Sequence, residues 1–175
     1  LQLEYLIGIV ECKDVLVWGR NEGHADQYCE DMQGHGFTIS TADLESLTQS
    51  CNLIVTTTPA TEPLIQADWV KPGTHITAMG SDTPGKQELD AEILKRADVV
   101  VADSIAQCIQ RGEVAKAIAA GVISENNVLE LGHVISRDSL GRTDDSMITV
   151  ADLTGVAVQD IQITKAVLNS LEQLS

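Results

Sequence analysis

Short apolar runs alternate with segments of helical character along most of this 175-residue chain. The runs are rich in Val, Ile and Thr and end in turn-forming residues, which predicts strands at 15–18, 37–40, 53–58, 74–79, 99–101 and 147–150. Helices are predicted at 1–10, 22–32, 43–49, 88–96, 112–120, 129–135 and 156–174. Such alternation is typical of βαβ units, so we expect an α/β fold with a doubly wound, mostly parallel sheet flanked by helices.

The composition agrees with this architecture and argues against two classes of binding partner. Apolar residues make up 43% of the chain but include only two Trp, two Tyr and one Phe, so aliphatic side chains must fill the core. The formal charge is −15, from 26 acidic and 11 basic side chains. This charge repels phosphate backbones and anionic membranes, and we expect neither nucleic acid nor a membrane as a partner.

The cysteines and the apolar runs indicate the compartment. Cys12, Cys29, Cys51 and Cys108 are widely separated and form no zinc-ligand or disulfide pattern. We therefore expect reduced thiols and no metal site. No apolar run reaches 18 residues and the chain has no signal-like start, so we predict a cytoplasmic protein.

Polar residues follow two of the predicted strands. The strand at 74–79 runs into Gly80, Ser81 and Asp82, and the strand at 53–58 ends in three threonines. Ligands of open α/β sheets bind at the carboxyl ends of strands. Asp82 is therefore a candidate reacting group, and the threonines are expected to face the same crevice.

A third strand end carries an arginine. The strand at 15–18 is followed by Gly19, Arg20 and Asn21. In dinucleotide-binding sheets an acid at the end of the second strand binds the ribose 2′-hydroxyl, whereas an arginine there accommodates a 2′-phosphate. Arg20 thus favours NADP over NAD, and a solvated arginine in a turn is the alternative.

The glycine-rich loop that holds a pyrophosphate is missing from this sequence. Such a loop precedes a helix N-terminus, and here nothing stands before the predicted helix at 1–10. We expect that the chain is either a fragment of a larger protein or a protein without this phosphate cradle.

Taken together, the motifs resemble the ornithine cyclodeaminase/mu-crystallin family over nearly the whole chain. The resemblance is carried in chain order by residues 55–58, 73–76, 78–82, 84–86, 88–89 and 152–160. Its most specific elements are Gly-Ser-Asp-x-Pro-Gly-Lys at 80–86 and Asp-x-x-Gly-x-x-x-x-Asp at 152–160. Members include cyclodeaminases, amino-acid dehydrogenases, ketimine reductases and the ectoine-utilisation branch, to which this chain is similar.

The resemblance implies a homodimer of two-domain subunits. Residues 1–135 would form a Rossmann-like dinucleotide-binding domain without its first strand and glycine loop. Residues 136–175 would form a C-terminal strand and helix that return to an outer, dimerisation domain. The implied activity is hydride exchange at an amino-acid α-carbon through an imine, as an NADP- or NAD-dependent oxidoreductase or cyclodeaminase. We expect the chain to be inactive alone.

The resemblance also assigns roles to individual residues. Asp82 matches the family's acid/base carboxylate. The positions that match cofactor contacts are Arg20, Asn21, Thr56, Thr57, Met79, Gly80, Ser81, Lys86, Leu153 and Thr154. Simpler roles stay open, because the threonines suit a strand, Lys86 suits a surface turn and Asp160 suits the first turn of a helix.

Two questions stay open at this point. The basic residues that bind substrate in the family belong to an N-terminal half that this sequence does not contain, so the amino-acid or cyclic imine substrate is not defined. The alternative function is a non-catalytic, nucleotide-binding or dimerising crystallin-like protein that keeps the fold.

Overall fold

The computed structural model describes residues 2–137 and 140–172 of the chain. The chain divides into two compact units, Leu1–Cys51 and Asn52–Ser175. The N-terminal unit contains α1 (Gln2–Tyr5), β1 (Asp14–Val17), α2 (Glu22–Asp31), β2 (Thr38–Thr41) and α3 (Leu44–Ser50). Strands β1 and β2 pair in parallel, with Asp14 opposite Thr38 and Val17 opposite Thr41.

The C-terminal unit contains a larger parallel sheet. Its strands are β3 (Leu53–Thr56), β4 (His75–Ala78), β5 (Val99–Ala102), β6 (Val128–Glu130) and β7 (Thr149–Asp152). Its α-helices are α4 (Ala91–Arg96), α5 (Ile105–Cys108), α6 (Gly112–Ala119), α7 (Leu131–Ser136) and α8 (Ala157–Glu172), and short 3₁₀ turns lie at Ala67–Trp69 and Glu125–Asn127.

The strand order of this sheet is β3-β4-β7-β5-β6, and every pair in it is parallel. The last strand along the chain therefore lies between two earlier ones. The predicted α/β fold with a parallel sheet and flanking helices is confirmed.

Burial follows the position of each strand in the sheet. On the inner strands, Ile76 and Val150 are almost fully buried, as is Ala102. On the edge strand β3, Leu53 and Val55 alternate with the buried Ile54 and are exposed at 36% and 37%. Inner parallel strands are covered on both faces by helices, whereas an edge strand keeps part of its surface in water.

Two of the predicted helices are shorter in the structure. The first ends at Tyr5 and continues in turns with i to i+3 hydrogen bonds as far as Gly8, whose φ of 78° is incompatible with a right-handed helix. The helix predicted at 88–96 begins only at Ala91, because the Glu88 carbonyl accepts hydrogen bonds from two backbone amides at 64 and 65.

The prediction between 125 and 150 was wrong in detail. Residues 128–130 form strand β6 before the short helix α7, and the strand predicted at 147–150 lies two residues later, at Thr149–Asp152. A short apolar run does not distinguish a strand from a helical turn, so pairing with β5 decides the outcome.

The place of strand β7 in the sheet bears on the predicted domain boundary at residue 135. Strand β7 follows that boundary, yet it belongs to the same sheet as β3 to β6. The assignment of the remaining C-terminal helix α8 to an outer, dimerisation domain stays a prediction. None of the helices in the described ranges combines the length and the apolar character needed to cross a lipid bilayer.

Replacing Ile76 by Ala should destabilise the C-terminal unit strongly. Ile76 is fully buried on an inner strand, and removal of such a side chain costs about 2–5 kcal/mol. Urea unfolding followed by Trp69 fluorescence, in a Trp18→Phe background, measures the free energy. Ile135→Ala, at a side chain that is 74% exposed, is the control and should change it little. Equal losses in both variants would contradict the described core.

Candidate functional site

A cleft of about 440 Å³ lies in the N-terminal unit at the carboxyl ends of β1 and β2. Residues 17–20 at the end of β1 and 41–43 at the end of β2 line it, together with the first turns of α2. Arg20 is exposed and lines this cleft. Its location agrees with the general position of ligands in parallel sheets.

The residues around Arg20 have mixed charge. Glu22, Asp26 and Asp43 line the same cleft. Asp43 caps α3, because its carboxylate accepts hydrogen bonds from the Ser46 amide at 2.8 Å and the Ser46 hydroxyl at 2.7 Å. These bonds lower the pKa of Asp43. The cleft therefore offers both a guanidinium and carboxylates to a ligand.

Asn21, predicted to contact cofactor, is the N-cap of α2. Its side-chain oxygen accepts a hydrogen bond from the His24 amide at 3.1 Å. This satisfies one of the free amides at the helix N-terminus. The carboxamide oxygen thus has a structural role in the described contacts.

In the C-terminal unit, the carboxyl ends of all five strands lie in one row. Thr56 is opposite Ala78, Ala78 is opposite Asp152, and Asp152 is opposite Ala102. Ala102 is in turn opposite Glu130. The loops that leave these strands begin at one edge of the sheet, which brings together the predicted residues 56–57, 79–82 and 153–154.

The Glu88 carboxylate holds the first two of these loops. It accepts hydrogen bonds from the Thr56 hydroxyl at 2.7 Å, the Thr58 amide at 2.5 Å and the Gly80 amide at 2.8 Å. A Cβ at Gly80 would overlap the Thr58 carbonyl oxygen and lie 2.5 Å from the Glu88 carboxyl carbon. The turn after β4 therefore requires glycine at this position.

A second buried carboxylate, Glu113 at the start of α6, holds the next residue. It accepts hydrogen bonds from the Ser81 hydroxyl and from the backbone amides of Glu88, at 2.7 Å, and Leu89, at 3.1 Å. Burial raises the pKa of Glu113, and the hydrogen bonds oppose that rise. The Ser81 hydroxyl therefore bonds to a buried group, whereas the Ser81 backbone belongs to the turn after β4.

Asp82 and the half-buried Lys86 form an ion pair beside these buried groups. The Lys86 ammonium lies 2.6 Å from the Asp82 carboxylate, and the Asp82 side chain is 52% exposed. The hydrogen bond from Lys86 lowers the pKa of Asp82, so the carboxylate is ionised at neutral pH. Between them, residues 83–86 form a turn closed by the Lys86 amide on the Thr83 carbonyl, with Gly85 at a φ of 93°.

The other predicted contacts divide into two groups. The Met79 amide donates to the Thr56 carbonyl and the Leu153 amide to the Ala78 carbonyl, so both extend the strand edge. Thr57 is exposed there. Thr154 is 5% exposed, and its hydroxyl lies near Asp103 and the Cys108 sulfur. Its side chain therefore makes internal contacts.

Asp152 is a buried carboxylate whose pKa is strongly changed by its surroundings. It is 1% exposed and accepts a hydrogen bond from the Val114 amide at 2.8 Å, at the N-terminus of α6. Burial raises its pKa to about 7, and the nearby carboxylates of Glu113 and Asp103 add to the rise. Gly112, with a φ of 89°, allows this approach, since a Cβ there would lie 2.6 Å from the Asp152 carboxylate.

Sequence reasoning gave no role to Glu88, Glu113 or Asp152, although two of them fall in the matched motifs. A signal existed for Glu113, because it precedes the buried Val114 and lies four residues before the buried Ala117. A charged residue on the apolar stripe of a helix predicts a buried, hydrogen-bonded group. Glu88 has no comparable local signal, since its burial depends on strands distant in sequence.

Replacing Asp152 by Asn should flatten the dependence of stability on pH. The native carboxyl keeps its proton up to about pH 7, whereas in the unfolded chain it loses the proton near pH 3.9. The unfolding free energy should therefore fall as pH rises through this window, and Asn removes that contribution. Urea titrations at about pH 4 to 8, a range that spans the two pKa values, measure the unfolding free energy.

Glu113, whose pKa is also raised by burial, is unchanged in this variant, so part of the slope should remain. Asp68→Asn, at an exposed position, is the matched control and should keep the slope of the original protein. An unaltered slope in Asp152→Asn would show that Asp152 is ionised throughout the window.

Comparison with known proteins identifies the relatives of this arrangement. An uncharacterised cyclodeaminase of Sinorhizobium fredii is 40% identical over 178 residues, covering 100% of this chain and 54% of that protein. The structure of an archaeal alanine dehydrogenase dimer with bound NAD has a TM-score of 0.91 at 38% identity, over 99% of this chain and 54% of that one.

A second solved structure is the iminosuccinate reductase of Paracoccus denitrificans in complex with NAD⁺. Its TM-score is 0.90 at 34% identity, over 98% of this chain and 53% of that one. The chain spans about half the length of the curated relatives it matches. The family model for ornithine cyclodeaminase and mu-crystallin matches residues 1–174, and the chain belongs to the ornithine cyclodeaminase/mu-crystallin family.

Proposed function

We propose that the protein is an NAD(P)-dependent enzyme that acts at the α-carbon of an amino acid through an imine. The observation that carries this proposal is the row of aligned strand ends, at which the clamped Gly80 turn presents the Asp82 carboxylate. Relatives with this architecture are an alanine dehydrogenase and an iminosuccinate reductase with bound NAD. The small substrate would be an amino acid or an imine.

Each of the two units contains groups that fit a part of a nicotinamide dinucleotide. In the N-terminal unit, Arg20 and the acids beside it suit a ribose or its phosphate. In the C-terminal unit, the backbone of residues 79–82 and 153–154 suits a nicotinamide. The bound nicotinamide would supply or accept the hydride. Thr56 would act through Glu88, to which it donates, whereas Thr57 is free to contact a ligand directly from the exposed edge.

Asp82 would carry the proton and charge chemistry of this reaction. An ionised carboxylate stabilises a positively charged imine or ammonium nitrogen and accepts a proton from it. Lys86 now neutralises that carboxylate, at 2.6 Å. We infer that the bound substrate moves the Lys86 ammonium away from the Asp82 carboxylate. Because a nearby positive charge is then lost, the proton affinity of Asp82 rises.

NADP is the cofactor that we favour, because Arg20 lines the cleft after β1, and an arginine at such a strand end accommodates a 2′-phosphate in dinucleotide-binding sheets. The relatives in complex with NAD represent the alternative. Glu22 and Asp26 in the same cleft support that alternative, since a carboxylate accepts hydrogen bonds from a ribose hydroxyl.

We further propose that the protein acts as a homodimer in the cytoplasm. The archaeal alanine dehydrogenase relative is a dimer. Helix α8 carries apolar side chains that are 53–65% exposed at Ile161, Ile163, Val167 and Leu168. A second copy is the occupant we expect for this face, in agreement with the predicted dimerisation role of the C-terminal residues.

One observation favours a non-catalytic, nucleotide-binding role as the second candidate. The carboxylate that would react is paired with Lys86 and has a lowered pKa. In a binding protein this ion pair would be only a surface contact. Turnover separates the two candidates, because both predict cofactor binding.

In the full-length protein, Asp82→Asn should lower turnover strongly and leave cofactor binding intact. Loss of an acid/base group lowers kcat about 10²- to 10⁴-fold, and the exposed side chain makes no described contact with the fold other than Lys86 and its own loop. The assay follows NAD(P)H absorbance with alanine and with Δ1-pyrroline-2-carboxylate, a substrate named for another relative. Fluorescence titration with NAD(P)H measures binding.

Asp145→Asn is the control, since Asp145 is exposed and lies outside the strand edge. An Asp82→Asn variant as active as the original would remove Asp82 from its proposed role. An original protein that binds NADPH without turning over any amino acid or imine would support the binding-protein candidate.

Arg20→Ala should weaken NADPH binding much more than NADH binding. A charge-assisted hydrogen bond to phosphate contributes about 1.5–3 kcal/mol, which corresponds to about 10- to 150-fold in the Kd for NADPH. Competition titrations with both cofactors give the two ratios. Lys13→Ala removes a cation from the same unit outside the cleft lining and should affect both cofactors little. An unchanged preference in Arg20→Ala would overturn the 2′-phosphate assignment.

A further inference from the structure

The loop that carries Asp82 and Lys86 is closed at both ends by the Glu113 carboxylate. At its beginning the Ser81 hydroxyl donates to Glu113 Oε1. At its end the Glu88 amide donates to the same oxygen at 2.7 Å, and the Leu89 amide donates to Oε2 at 3.1 Å. A single side chain from α6 therefore bridges residues that are eight positions apart in the loop.

Glu88 closes the same loop in a different way. It belongs to the loop, and its carboxylate returns to the Gly80 amide at 2.8 Å and the Thr58 amide at 2.5 Å. Its backbone amide is held by Glu113. Glu113 thus holds the backbone of Glu88, and the Glu88 carboxylate in turn holds the residues that follow β3 and β4.

The position of Glu113 is itself determined by the neighbouring strand. Asp152, the last residue of β7, accepts the Val114 amide at 2.8 Å, next to Glu113 at the N-terminus of α6. Gly112 allows Asp152 to approach that closely. Hydrogen bonds therefore connect β7, through the start of α6, to the loop that presents Asp82.

Burial of these carboxylates is costly and needs an explanation beyond packing. Glu88 and Glu113 are 0% and 1% exposed, and the partners of Glu113 are one hydroxyl and two backbone amides. An apolar side chain of similar volume would fill the space without the penalty of removing a charge from water. An apolar side chain, however, has no acceptor for the amides and the hydroxyl at the two ends of the loop, whereas a carboxylate binds all of them.

We propose that Glu113 is a positioning residue that sets the location of Asp82 at the strand edge by closing the loop from Ser81 to Leu89. The inference rests on the proposed function of Asp82, and one of its tests does not depend on turnover. Glu113 acts through Ser81 and Glu88 and is not expected to touch substrate or cofactor.

The test uses Glu113→Gln in the full protein. Glutamine keeps the size but has one acceptor oxygen, so its NH₂ group must face the Leu89 amide or the Glu88 amide, whichever way the carboxamide is turned. We expect kcat to fall about 10- to 100-fold, the range of a misplaced catalytic group, while the Kd for NAD(P)H changes little. Glu92→Gln, at an exposed residue paired with Lys95, is the matched control.

The second readout is the pKa of the Asp82 carboxyl, measured by ¹³C NMR and assigned by its loss in Asp82→Asn. In the original protein the hydrogen bond from Lys86 lowers this pKa. In Glu113→Gln the loosened loop should let the pair separate, and the pKa should rise toward the ordinary value of about 3.9. This measurement remains informative if the original protein shows no turnover, a result that would refute only the proposed function.

A folded Glu113→Gln protein in which the Asp82 pKa and kcat both equal those of the original would overturn the inference and leave Glu113 with a packing role. If this variant does not fold, Ser81→Ala replaces it, since it removes the donor at the Asp82 end and keeps the amides at the Glu88 end. Ser81→Ala should then shift the same two quantities in the same direction. Unchanged values in that variant would also contradict the proposal.

Discussion

Two buried carboxylates, Glu88 and Glu113, hold the candidate site together. Their six hydrogen bonds come from the ends of β3 and β4, from Ser81 and from the loop amides at 88 and 89. Charged acceptors strengthen such bonds, and an unmatched buried charge would be costly. The arrangement therefore tolerates little variation in the turn that presents Asp82, and Gly80 is required for the same reason.

The parallel register explains why these contacts meet at one place. Because Thr56, Ala78 and Asp152 are opposite one another, the loops after three strands begin at the same edge. The late insertion of β7 between β4 and β5 brings Asp152 against the start of α6. In the other unit, Arg20 lies at the equivalent ends of β1 and β2.

Much of the fold followed from local patterns. The helices at 22–31, 44–50 and 112–119 and the strand at 53–56 lie within a residue or two of their predicted positions. Their ends are marked by caps and turns, such as Asn21 and Asp43, that act over a few residues. The prediction failed where a distant partner decides, as at β6, which is a strand because it pairs with β5.

The sequence alone determined the class of fold, the Gly80–Asp82 turn and the placement of Arg20 after a strand, because period, turn residues and motif spacing are local properties. Tertiary structure decided the rest. It placed strand β7 inside the sheet and buried Glu88 and Glu113 as acceptors for backbone groups. These outcomes depend on contacts between residues far apart in the chain, and such contacts exist only after the sheet has assembled.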